Sequence, residues 1–188
     1  MKTTCNFKTI RPAVITCLFM LISFTTASCQ VDNESAHKKA AVPQVSPDMR
    51  NLSLQMEDLA GKPVRLINGR FQGDHLSVSV LKTATADLDQ DGLTDGVIII
   101  FENSGGSGNF RTLCLLMNNG KKMVHTDEKF IGDRIRITSL KIDAGTIIVD
   151  YLDRSPDESF AVEPHIRKRV NYRVRGIKLE RIPSGRDS

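Results

Sequence analysis

The chain has 188 residues, 40% of them hydrophobic and 26% charged, with no tryptophan, and 26 basic against 22 acidic residues give a formal charge of +4. Three of the 26 basic residues, Lys2, Lys8 and Arg11, lie in the first 28 residues, which leaves 23 against 22, near +1, in the remainder. That balance gives no electrostatic footprint for nucleic acid and no general preference for an acidic partner.

In chain order, Lys2, Lys8 and Arg11 precede an apolar run over residues 13–24. About a dozen apolar residues are too few to span a bilayer as a helix, and a basic start followed by such a run reads as an export signal over residues 1–28. Thr26, Ala27 and Ser28 stand directly before Cys29. Small residues before a cysteine resemble the lipobox of bacterial lipoproteins, with Thr26 where an aliphatic residue is usual. The resemblance implies that Cys29 is the first mature residue and carries lipid, several acyl chains giving an anchor that one chain would not. Gln30 after the cysteine implies sorting to the outer membrane, facing the periplasm. The other reading is an ordinary secretory signal cut near Ala27 or Ser28.

Residues 29–48 are polar and small, carry Pro43 and Pro47, and read as the lipidated cysteine and a flexible tether. As a coil that tether spans roughly 25 Å, from about 5–6 Å × √n. A single folded unit is expected over residues 49–183, with 184–188 as a disordered tail. Residues 49–59 fit either a short helix or the start of a strand. Residues 64–66 alternate and run into Asn68 and Gly69, a turn signal. Residues 76–81 alternate as a half-buried strand should, whereas 97–101 form a continuous apolar, β-branched run that predicts a central strand. Further strands are expected over 110–117, 123–126, 135–142, 146–152, 167–174 and 177–182, with turns at Gly120, Gly145 and Gly176. Turn signals every 8–12 residues or so predict an all-β fold, mainly antiparallel: a meander, sandwich or partial barrel.

The densest chemistry lies between the second and third of these strands. Asp87, Asp89, Asp91 and Asp95 occupy positions 1, 3, 5 and 9 of one loop, with Gly92 at position 6 and Leu93 at position 7. Four carboxylates in nine residues repel one another, and a hard divalent cation with oxygen ligands, above all Ca²⁺, would offset that repulsion. Gly92 supplies the sharp turn and Leu93 a backbone carbonyl. Position 12 is Ile98, which excludes an EF-hand, whose loop needs a bidentate glutamate there. The strand–Asp-x-Asp-x-Asp-Gly-x-x-Asp–strand order resembles the calcium hairpins of integrin-type FG-GAP blades, over residues 84–101 only. One such loop does not make a propeller. The bland alternative is a solvated Asp/Gly hairpin without an ion. More widely, the acidic loop, the Asn-Ser-Gly-Gly-Ser-Gly stretch 103–108 and Gly132-Asp133-Arg134 together resemble a group of small exported bacterial lipoproteins. That group implies export and a β-rich fold, and brings no catalytic residues.

Other motifs read plainly. Residues 104–108 lack the lysine of a phosphate-binding loop and join two strands. No metal-protease or paired-cysteine motif is present, and the four histidines are dispersed. Cys114 reads as a buried small hydrophobe. Gly132-Asp133-Arg134 reads as a turn lock. The basic run 167–175 reads as an edge strand kept soluble by charge, with contact to anionic lipid as the alternative. The resulting expectation is a lipid-anchored envelope module with a structural Ca²⁺ held by Asp87, Asp89, Asp91, Leu93 and Asp95. Its partners would be the membrane and an unidentified envelope ligand or protein. The alternative is an envelope hydrolase whose polar groups meet only in the fold.

Overall fold

The computed structural model describes residues 48–56 and 63–183, all within one compact unit spanning residues 41–188. Residues 1–47, on which the expected export signal, Cys29 and nearly all of the expected tether fall, and residues 184–188, the expected tail, lie outside the described residues. Among the described residues eleven strands follow in order: β1 (Ser53–Leu54), β2 (Val64–Arg65), β3 (Arg70–Gln72), β4 (Ser77–Ala86), β5 (Asp95–Asn103), β6 (Phe110–Asn118), β7 (Met123–Asp133), β8 (Arg136–Asp143), β9 (Thr146–Asp153), β10 (Ile166–Arg175) and β11 (Lys178–Ile182). All pairings are antiparallel. They form a five-stranded sheet β3-β4-β5-β6-β7, a four-stranded sheet β11-β10-β9-β8 and the two-stranded pair β1-β2. The expected all-β fold is therefore present, and among the described residues there is no helix. Ser53 and Leu54 take the strand alternative for the segment 49–59, of which residues 57–59 lie outside the described set.

The turns follow their residues. Asn68 (φ 52°) with Gly69 (φ 77°), and Ala144 (φ 45°) with Gly145 (φ 75°), supply two successive left-handed conformations. A two-residue turn of this kind matches the twist of the strands it joins.

The continuous apolar run in β5 has a direct cause: the strand is covered on both faces. Ile98 and Ile100, with Cys114 and Leu116 of β6, pack under Leu52, Leu54, Val64 and Leu66 of the β1-β2 segment. Val97 and Ile99, with Leu113, Leu115 and Met117, pack against Ile147, Val149, Val170, Tyr172 and Leu179 of the four-stranded sheet. Successive side chains alternate faces, so a strand between two apolar layers has no polar positions to spare. Each fully buried aliphatic side chain contributes about 1.5–3 kcal/mol.

The basic run 167–175 departs from expectation. β10 is an interior strand between β9 and β11. Its charges are tolerated because acids on both neighbours face them: Lys168 pairs with Asp153 (2.8 Å), Arg169 with Asp150 (2.6 Å) and Arg173 with Glu180 (3.1 Å). Cross-strand opposite charges stabilise a sheet face. The sequence shows one strand's charges at a time, and the acids that answer them stand as far as 19 residues away.

Candidate functional site

The acidic loop joins β4 to β5, and its four aspartates divide into two kinds. Asp95 opens β5 and is fully buried, whereas Asp87, Asp89 and Asp91 are exposed. One Asp95 oxygen accepts the Leu88 N–H at 2.9 Å and the other the Asn118 N–H at 2.9 Å, tying the loop to the end of β6. Burial pushes the Asp95 carboxyl above its ordinary range, against the pull of those two N–H groups, and the neighbouring Asp89 and Asp91 push the same way. Asp87 accepts the Gly92 N–H at 3.0 Å, and Gly92 takes φ 88° with open space around it, as the sharp turn requires.

Oxygens of Asp87, Asp89 and Asp95 lie within 4.8 Å of one another. That group of three is brought together by the fold. Asp91 is not in it; its Oδ1 accepts the Leu93 N–H at 2.7 Å, and Leu93 is half-buried. The chemistry of the group, three oxygen-only acceptors with one buried and anchored, suits a hard cation. The same carboxylates also cap the loop's own N–H groups, as Asp and Asn do in turns with no ion.

Cys114, His125 and Glu128 form a second group of potential ligand atoms within 4.8 Å. Two of its members, His125 and Cys114, are already committed. Gln55 N–H donates to His125 Nδ1 at 3.0 Å, so Nε2 carries the proton and donates to the Asp127 carbonyl at 3.1 Å. Both ring nitrogens are thereby used, and burial lowers the imidazole pKa and keeps the ring neutral. The Cys114 thiol is enclosed, and burial pushes its pKa well up, away from the thiolate that metals bind. Cys114 is thus the buried small hydrophobe that the sequence suggests. His165 is half-exposed, with Nδ1 donating to the Glu163 carbonyl at 3.2 Å and Nε2 3.7 Å from Glu158.

Gly132-Asp133-Arg134 is a turn lock. Asp133 accepts the Asn109 N–H at 2.7 Å, pairs with Arg134 at 3.0 Å, and Arg134 takes φ 51°.

A site missed by the sequence reading lies where β4 approaches β8. A groove of about 660 Å³ is lined by Lys82, Arg111, Arg134, Arg136 and Arg154, with Phe160 and one acid, Glu163. These residues come from five separated segments, and each alone reads as a solvated charge. The Arg134 guanidinium stacks 4.2 Å from the Phe160 ring centre, and Arg154 lies 5.9 Å from it.

No protein-family model, no curated protein sequence and no solved structure matches the chain.

Proposed function

We propose that this protein is a lipid-anchored, extracytoplasmic β-sandwich module that binds a ligand of the cell envelope, with a structural Ca²⁺ pinning the β4–β5 hairpin. The observation that carries the calcium reading is that oxygens of Asp87, Asp89 and the buried, anchored Asp95 lie within 4.8 Å of one another. Cys29 and the leader before it support the anchored address. Binding is favoured over hydrolysis because His125 has both nitrogens engaged by the backbone of Gln55 and Asp127, and the basic groove is lined by no histidine, serine or cysteine. The groove offers charge and shape without a nucleophile and its base.

The calcium is of the weak extracellular class, about 10⁻⁴–10⁻³ M. Calcium at tenfold excess over Kd then adds about 1.4 kcal/mol of stability, a rise of several degrees in Tm. Calorimetric titration of the protein should show saturable heat that Asp89→Asn abolishes; Asp89 is exposed, so the fold is retained. Equal melting temperatures in calcium and in chelator would defeat the calcium reading.

A further inference from the structure

Six basic side chains elsewhere on this molecule are answered by acids. Lys129 and Lys178 both reach Asp127, and Lys168, Arg169, Arg173 and Arg175 meet carboxylates on neighbouring strands. The groove gathers cations that are held in another way. Among the described residues, only Arg134 of its five cations is in direct ion-pair contact with a carboxylate, that of Asp133. Arg111 donates to the carbonyls of Asn109 (3.2 Å) and Phe110 (3.0 Å) and stacks 4.7 Å from the Phe101 ring. Arg154 donates to the carbonyls of Val162 and Arg134. Neutral oxygens and rings fix these guanidinium groups in place, with Asp133 acting on Arg111 and Arg154 acting on Asp153 only through space. Among the described residues, the side chains of Lys82 and Arg136 make no hydrogen bond or ion pair.

The backbone around the groove is also irregular. The β4–β5 register slips between Val80 and Lys82, the β6–β7 register between Arg111 and Thr112, and the β8–β9 register between Ile137 and Ser139. Three separate register shifts therefore each border a groove residue. Bulges re-aim side chains, and they concentrate beside functional sites. Gathering like charges is unfavourable unless something negative joins them.

We infer that this groove binds a small, multiply charged phosphate-class oxyanion, held by Lys82, Arg111, Arg136 and Arg154, with its organic part against the Phe160 ring. Guanidinium forks match the paired oxygens of such groups. A groove of about 660 Å³ exceeds what an inorganic anion fills and lies within the roughly 300–1,000 Å³ of small-molecule sites. The inference rests on the binding-module reading above and gives that module its ligand class.

The probe is inorganic pyrophosphate, titrated by calorimetry into the full chain at physiological salt. A single saturable site is expected. Lys82→Glu combined with Arg136→Glu should weaken it at least tenfold. Lys141→Glu combined with Arg167→Glu, exposed and outside the groove, should leave it unchanged. Should the reversal pair fail to fold, the wild-type chain still decides: pyrophosphate should slow phenylglyoxal modification of Arg136 severalfold, read by peptide mass, and leave Arg167 untouched. A parallel arm measures sedimentation with phosphatidylcholine vesicles containing phosphatidic acid, relative to phosphatidylcholine alone. Soluble binding lost in the reversal pair supports a free ligand; a vesicle increment lost in the same pair supports a lipid headgroup. Binding in neither arm, binding indifferent to the reversal pair, or equal modification with and without pyrophosphate overturns the inference. Calcium heat retained in a chain that ignores pyrophosphate would remove the groove alone and leave the hairpin site standing.

Discussion

Asp127 shows how much one buried carboxylate can organise. It stands on β7 and accepts the Leu179 N–H of β11 at 2.8 Å, with Lys129 at 2.9 Å and Lys178 at 3.2 Å. It thus fastens an edge of one sheet to an edge of the other. Burial works against its charge, but the Leu179 N–H and the two lysines outweigh burial and hold its pKa below the usual 3.8. Asp127→Ala should cost about 1–3 kcal/mol in urea unfolding, chiefly by orphaning the buried Leu179 N–H, since both lysines stay solvated. Its contribution is present above pH 3.8 and lost as pH falls through the depressed folded value. His125 acts in a higher window. Its folded pKa lies below 6.5, so on acidification the unfolded chain takes up a proton first and stability falls from pH 6.5 downward. A urea midpoint flat from pH 7 to pH 5 would contradict that sign. The Asp-x-Asp-x-Asp-Gly spacing was legible because its residues are neighbours in the chain. Asp127 was not, because its defining partner is 52 residues away.

At the scale of elements, legibility followed the chemistry of turns and alternation. Asn68-Gly69 and Ala144-Gly145 could be read as turns because few residues accept left-handed backbone. β5 could be read as central because both of its faces are apolar. The sheet assignments of β8 to β11 were not visible, since the pairing partner of a strand leaves no mark in its own sequence; hence the edge reading of β10 and its reversal. The groove was hidden for the same reason, its charges meeting only after β4 and β8 converge. The short β1-β2 segment is a test of how far small elements matter. Leu54 is fully buried there against Ile98 and Ile100 of β5. Leu54→Ala should therefore cost about 2–5 kcal/mol, as a core truncation does, rather than the few tenths expected of a fraying end. Chemical denaturation of the variant distinguishes the two.

The whole unit is held by two cores that share β5 and β6. Residues of one strand alternate between them, so neither core can dissolve without exposing the back of the other. Cooperative unfolding follows as an expectation. Both tyrosines of the chain, Tyr151 and Tyr172, lie on the four-stranded sheet and pack in the core beneath it. Their near-ultraviolet dichroism reports on that layer, and far-ultraviolet dichroism on all strands. The two signals should melt together; an earlier loss of the tyrosine signal would mean that the four-stranded sheet detaches first.

Cys114 sits beneath the β1-β2 segment in the other core, with no exposed surface. A thiol reagent can reach its sulfur only while that cover is lifted. The labelling rate of this single peptide, followed by mass, is thus a clock for excursions of one small flap, wound into the protein by its own cysteine and needing no attached probe.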